Sequence, residues 1–125
     1  MAMKVLLVED SHIVRERLRD IVSAIPNAVL VAETDNEDDA RCLLYRDRPD
    51  VAVIDLRLKS GSGFVVIGHI AAVFATTTVI VLTNFAQPEY RAKCMKLGAH
   101  YFFDKSKDLA AFADLLAELG QRCPA

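Results

Sequence analysis

The sequence predicts an α/β fold, with one parallel β-sheet carrying helices on both faces. Three observations predict it. Hydrophobic periodicity switches repeatedly between short continuous apolar runs and stripes at helical spacing. The apolar runs lack the polar alternation of a half-exposed strand, so they belong to strands covered on both faces. The 125 residues hold no internal repeat, linker or low-complexity stretch, and that length suits one domain able to bury a core without disulfide or metal staples.

Lys4–Val8 is the first strand. Ser11–Ile25 follows as a helix, with Val14, Leu18, Ile21 and Ile25 on one stripe and Pro26-Asn27 as its stop. Val29–Ala32 is the second strand. Asp35 is expected to cap a helix over Asn36–Arg48, with Ala40, Leu43 and Leu44 inward, and Pro49-Asp50 breaks it. Val51–Ile54 is the third strand and Phe64–Ala75 an apolar helix. Thr78–Leu82, β-branched almost throughout, is the fourth strand. Pro88 sits where a first-turn proline belongs, Tyr90, Cys94 and Leu97 follow at helical spacing, and Gly98 closes the helix. In the short fifth strand, Tyr101–Phe103, alternation sets Phe102 on the opposite face from Tyr101 and Phe103. Asp108 is expected to cap a last helix carrying Leu109, Phe112, Leu116 and Leu119, ended by Gly120.

Composition excludes several classes. A formal net charge of −2 provides no basic field for counterion-driven binding, so no direct nucleic-acid contact is expected of this chain. Apolar stretches such as Phe64–Ile67 and Val79–Leu82 are far too short for a bilayer, and the N-terminus lacks the parts of a secretory signal. Cys42, Cys94 and Cys123 lack metal-type spacing. They read as free buried thiols suited to a reducing cytoplasm. His12, His69 and His100 are scattered and suggest no metal site.

In a parallel sheet, ligands bind beyond the carboxyl ends of the strands. Here the first strand ends in Glu9-Asp10, the third in Asp55 and the fourth in Thr83-Asn84, and Lys105 follows the fifth. Each residue taken singly has a plain structural role: Asp10 or Ser11 as a helix cap, Asp55 as a turn residue, Thr83 as a strand end, Lys105 as a solvated lysine. Their coincidence is what points to chemistry. Three converging carboxylates repel, and they stay ionised together only around a cation. Oxygen ligands at an open site suit Mg²⁺.

These residues carry a resemblance. Val8-Glu9-Asp10, Val53-Ile54-Asp55 with Gly63 eight residues on, Val81-Leu82-Thr83, Gly98-Ala99, and Phe102 three before Lys105 together resemble the receiver domain of bacterial two-component response regulators, the chemotaxis regulators included. The likeness runs along essentially the whole chain. It implies a flavodoxin-like, doubly wound (βα)5 fold with strand order 2-1-3-4-5, residues 1–125 forming a single receiver domain with no output domain. It implies that Asp55 accepts a phosphoryl group from a sensor histidine kinase or a histidine phosphotransfer protein. Asp10 and Asp55 would hold Mg²⁺, Glu9 would help through water, and the backbone carbonyl of Arg57 would be a further ligand. Thr83 and Lys105 would bind phosphoryl oxygens, and Phe102 would turn inward into space left by Thr83. The switch would bias the surface of the fourth helix, fifth strand and fifth helix toward a protein target or self-association. By register with the family, Arg57 and Phe85 lie at the mouth of the site and would tune the lifetime of the phosphoryl group, toward slow self-dephosphorylation. The chain is thus expected to be a cytoplasmic phosphoacceptor rather than an enzyme.

Departures from the family pattern are Lys59, where proline is common, and Ser106, where proline usually follows the lysine across a cis bond. A trans bond is expected before Ser106, and Gly61-Ser62-Gly63 is expected to be a flexible loop tip. Three other readings remain. A phosphatase using Asp55 as nucleophile needs a general acid two residues on, where Arg57 stands. A flavin carrier needs a phosphate loop where Glu9-Asp10 stands. A receiver-like binding module would act without phosphorylation.

Overall fold

The computed structural model describes residues 2–123. Strands and helices alternate strictly: β1 (Met3–Val8), α1 (His12–Ser23), β2 (Ala28–Thr34), α2 (Glu37–Asp47), β3 (Val51–Ile54), α3 (Gly63–Val73), β4 (Thr78–Thr83), α4 (Pro88–Leu97), β5 (Tyr101–Asp104) and α5 (Leu109–Arg122). All strands pair in parallel, in the order β2-β1-β3-β4-β5. This is the flavodoxin-like α/β fold.

Strand alternation divides the interior into two layers. Leu6 and Val8 of β1, Ala52 and Ile54 of β3, and Val79 and Val81 of β4 pack beneath α2, α3 and α4. Val5 and Leu7, Val51 and Val53, and Ile80 and Leu82 pack beneath α1 and α5, where Phe112 and Leu116 are fully buried. Among the described residues no helix is long and apolar enough to cross a membrane.

Helix starts and stops depart from the expected positions in instructive ways. Asn36, not Asp35, caps α2, its side chain accepting from the Asp39 N–H. The next residues, Glu37, Asp38 and Asp39, place acidic charge against the positive end of the helix. Asp108 precedes α5 without a side-chain cap bond and accepts from the Asp104 N–H instead. Gly120 does not end α5. The helix runs through it to Arg122, and glycine at this position permits close packing, since an added Cβ would lie only 3.3 Å from Ile25 Cγ2. β2 extends beyond the expected stretch to Thr34 because β1 supplies ladder partners that far. Of the cysteines, Cys94 is buried but Cys42 is exposed and Cys123 half-buried.

Candidate functional site

The turn after β1 and the end of β3 lie side by side where the chain changes winding direction. The Asp55 N–H donates to the Val8 carbonyl at 2.9 Å, which carries the β1–β3 pairing up to Asp55. Carboxylate oxygens of Glu9, Asp10 and Asp55 lie within 4.8 Å of one another. Glu9 and Asp55 are buried, and Asp10 is exposed at the rim. Lys105 reaches in from the end of β5, its side chain only 9% exposed. Its Nζ donates to Glu9 Oε1 at 2.7 Å and to Asp55 Oδ2 at 3.0 Å. The other Asp55 oxygen accepts from the Leu56 N–H at 2.7 Å, and Glu9 Oε2 accepts from the Ser11 N–H at 3.0 Å.

Burial is the main force on Glu9. It pushes the carboxyl up to about 7, against the Lys105 and Ser11 hydrogen bonds, and the nearby Asp55 charge pushes the same way. Burial also acts on Lys105, downward, but the Glu9 hydrogen bond and the Asp55 and Glu9 charges outweigh it and leave the ammonium strengthened. One ammonium faces two buried carboxylates, with a third carboxylate at the rim. That surplus of negative charge and the oxygen-only donor set fit a hard divalent cation.

Thr83, fully buried at the end of β4, accepts from the Phe85 N–H at 3.1 Å. Phe102 already points inward, 7% exposed among the core residues beneath α4. It therefore does not start as a ring in solvent. The Arg91 guanidinium of α4 lies 5.1 Å from its ring centre and donates to its carbonyl. Arg57 is exposed, its guanidinium stacked 4.6 Å from the centre of the Phe85 ring. Phe85 in turn meets the edge of Tyr90, and Leu56, Arg57, Phe64, Phe85 and Tyr90 line a pocket next to Asp55 in the chain. The structure thus brings Glu9, Asp10, Asp55 and Lys105 together directly, and sets Arg57 and Phe85 against each other at the mouth.

The loop after Asp55 is no free tip. The Lys59 N–H donates to the Asp35 carbonyl, the Glu37 N–H to the Ser60 carbonyl, and Glu37 Oε1 accepts from the Ser62 N–H. Gly61 has φ +83°, a conformation that favours glycine. Gly63 is required for another reason: a Cβ there would sit 2.0 Å from the Asp55 carbonyl oxygen. The peptide bond before Ser106 is trans, as no described residue has a cis bond.

Two residues that hold this region were not legible in the sequence. Glu37 reads as an ordinary acidic residue of a helix first turn. Arg15 of α1 donates to the carbonyls of Glu9 and Asp10. Its only local signal is one helical turn of spacing from Ser11.

The sequence matches the response regulator receiver domain family over residues 5–117. It is 31% identical over 96 residues to the DNA-binding transcriptional activator DevR/DosR of Mycobacterium tuberculosis, covering 77% of this chain and 44% of that protein. The chain spans about half the length of the curated relatives it matches. Among solved structures, the receiver domain of the response regulator NarL from M. tuberculosis superposes with a TM-score of 0.86 at 21% identity, covering 96% of this chain and 97% of that one. The Mn(2+)-bound form of response regulator Rcp1 gives a TM-score of 0.78 at 20% identity, covering 94% and 91%. With its acidic triad at the β1–β3 crevice and a family match from the first strand into the last helix, this chain belongs to the response regulator receiver domains.

Proposed function

We propose that residues 1–125 act as one receiver unit that accepts a phosphoryl group on Asp55 from a sensor histidine kinase or a histidine phosphotransfer protein. The observation that carries this reading is the setting of Asp55. Its carboxylate is buried between an acidic pair and an ammonium, at the crevice where parallel sheets bind ligands. An Asp55 oxygen forms the bond to phosphorus as the bond from phosphorus to the donor imidazole nitrogen breaks. Glu9, Asp10 and Asp55, with the Arg57 carbonyl, would hold Mg²⁺, which when bound places positive charge against the phosphoryl oxygens. The Mn(2+)-bound form of Rcp1 is in keeping with a divalent ion here.

Lys105 is already beside Asp55 and can follow the new negative charge with a small turn. Thr83 offers its hydroxyl from the neighbouring strand. Because Phe102 is already inward, phosphorylation would tighten an existing arrangement, with Arg91 carrying the change into α4. The output is then a shift in the α4, β5 and α5 surface, read by a protein target or a second copy. The near-neutral charge and free cysteines support a cytoplasmic protein acting without direct nucleic-acid contact. The Phe85 ring has no group to orient a water, and with Arg57 stacked over it the pair covers the opening, which favours slow self-dephosphorylation.

The test is incubation with acetyl phosphate and Mg²⁺, followed by intact mass. The parent gains one phosphoryl group and Asp55→Asn gains none while remaining folded. Uptake by the variant at this site would sink the assignment. No uptake by the folded parent would favour a binding module that works without phosphorylation.

A further inference from the structure

The three acidic side chains of the site are not held alike. Glu9 is fixed by Ser11 and Lys105, and Asp55 by Leu56 and Lys105. No described residue donates a hydrogen bond to the Asp10 carboxylate, which stands exposed at the rim. The backbone of the β1–α1 turn therefore sets the one fixed part of its placement, the direction of the Cα–Cβ bond.

Besides the Glu9 carboxylate on the Ser11 N–H, that backbone is anchored from α1 by Arg15. Arg15 Nη1 donates to the Glu9 carbonyl at 2.8 Å and to the Asp10 carbonyl at 3.3 Å. The Arg15 side chain is only 16% exposed, and its Nε lies 3.3 Å from Glu33 Oε1 on β2. Glu33 is itself gripped by Arg19 through two bonds, of 2.6 and 2.8 Å. A line of contacts thus runs from α1 through β2 and back to the carbonyls of both acidic residues. A peptide unit with an unbound carbonyl can rock about its neighbouring dihedrals, and a carboxylate one bond beyond the Cβ swings with it. A guanidinium nitrogen shared between two successive peptide carbonyls, on a side chain whose plane is fixed by Glu33, restrains that motion.

We propose that Arg15 is a positioning residue for the divalent-cation site, acting through the Glu9 and Asp10 backbone rather than by touching the ion. The proposal rests on the reading of the acidic triad as an ion site. Its charge alone would have the opposite effect, because a guanidinium near the carboxylates repels a cation. The two roles therefore predict opposite signs when Arg15 is replaced.

The full chain is titrated with Mn²⁺ by electron paramagnetic resonance, with Mg²⁺ as competitor, in parallel with thermal unfolding in chelator. Variants are Arg15→Lys, which keeps the charge but loses the planar guanidinium that meets both the carbonyls and Glu33, Arg15→Met, and Arg19→Met. Arg19 shares Glu33 but touches neither carbonyl, so its variant reports general loosening. Both Arg15 variants should weaken ion binding by about tenfold, the usual size for loss of an outer-shell support. Arg19→Met should stay within about twofold of the parent, because it removes only a partly exposed ion pair. Unchanged binding in Arg15→Lys, tighter binding in Arg15→Met, or an equal loss in Arg19→Met would each overturn the positioning role. Should Arg15→Met fail to fold, Arg15→Lys carries the test. A parent that binds neither ion would instead remove the ion site, and the proposal with it.

Discussion

At the amino ends of the strands, polar side chains close backbone groups one to one. Asp50 accepts from the Lys4 N–H at 2.7 Å, the Thr77 hydroxyl donates to the Pro49 carbonyl at 2.8 Å, and His100 Nδ1 accepts from the Val79 N–H at 2.9 Å. Each replaces a ladder bond that ends where the strand begins, and each stabilises the sheet. At the carboxyl ends the polar side chains face one another. Glu9, Asp55 and Lys105 use their charges mutually, and burial leaves Glu9 reluctant to ionise. One edge lowers the free energy of the fold. The other holds charge that a cation and a phosphoryl group would complete, at some expense in stability. Polar residues at the two edges of one sheet thus serve different ends, and burial with charge balance distinguishes them.

The largest expected effect is at Gly63. A Cβ there meets the Asp55 carbonyl at 2.0 Å and Leu56 Cα at 2.7 Å, so Gly63→Ala must displace the backbone of Asp55 itself. A loss of about 3 kcal/mol or more is expected in urea unfolding, together with loss of phosphoryl uptake. Gly68→Ala in the same helix meets only Leu97 Cδ2 at 3.8 Å and should be neutral or gain up to about 1 kcal/mol. Equal behaviour of the two would break the view that the carboxyl edge depends on close backbone approach.

Next is Glu9. Its pKa in the fold, about 7, lies above the ordinary 4.5. The fold thus favours the protonated form, and that contribution is full below pH 4.5 and disappears as pH rises through 7. In chelator, Glu9→Gln should be more stable than the parent at pH 8, by on the order of 2 kcal/mol, and the two should converge at pH 5. Parallel melting curves at both pH values would contradict the charged-edge description.

The smallest effect belongs to the opposite edge. Thr77→Val leaves the Pro49 carbonyl without its buried donor and should lose about 1–2 kcal/mol. That loss should be the same at pH 5 and pH 8, with phosphoryl uptake unchanged. A change in uptake would show that the two edges are coupled through the sheet.

Much of this was legible residue by residue. The apolar runs at Lys4–Val8, Val51–Ile54 and Thr78–Leu82 mark the central strands because burial on both faces leaves no room for polar alternation. Pro88 and Gly98 bracket α4 in the structure as in the sequence, since both act through local backbone geometry. The Asp35–Asn36 boundary was misread by one residue because both side chains can cap, and only the observed turn selects Asn36. The Gly61-Ser62-Gly63 segment looked free because the partner of its Ser62 N–H, Glu37, lies 25 residues away.

Sequence by itself determined the alternation of strands and helices, the two-layer core, and the placing of Glu9, Asp10, Asp55, Thr83 and Lys105 at strand ends. These follow from periodicity and local backbone chemistry, which act over a few residues. Tertiary structure decided what those residues touch. Lys105 finds Glu9 across 96 positions of chain, Arg15 of α1 meets Glu33 on β2, and Phe102 lies inward beneath Arg91. Such contacts depend on strand order and helix docking, and a one-dimensional pattern does not specify which distant groups will share a desolvated space.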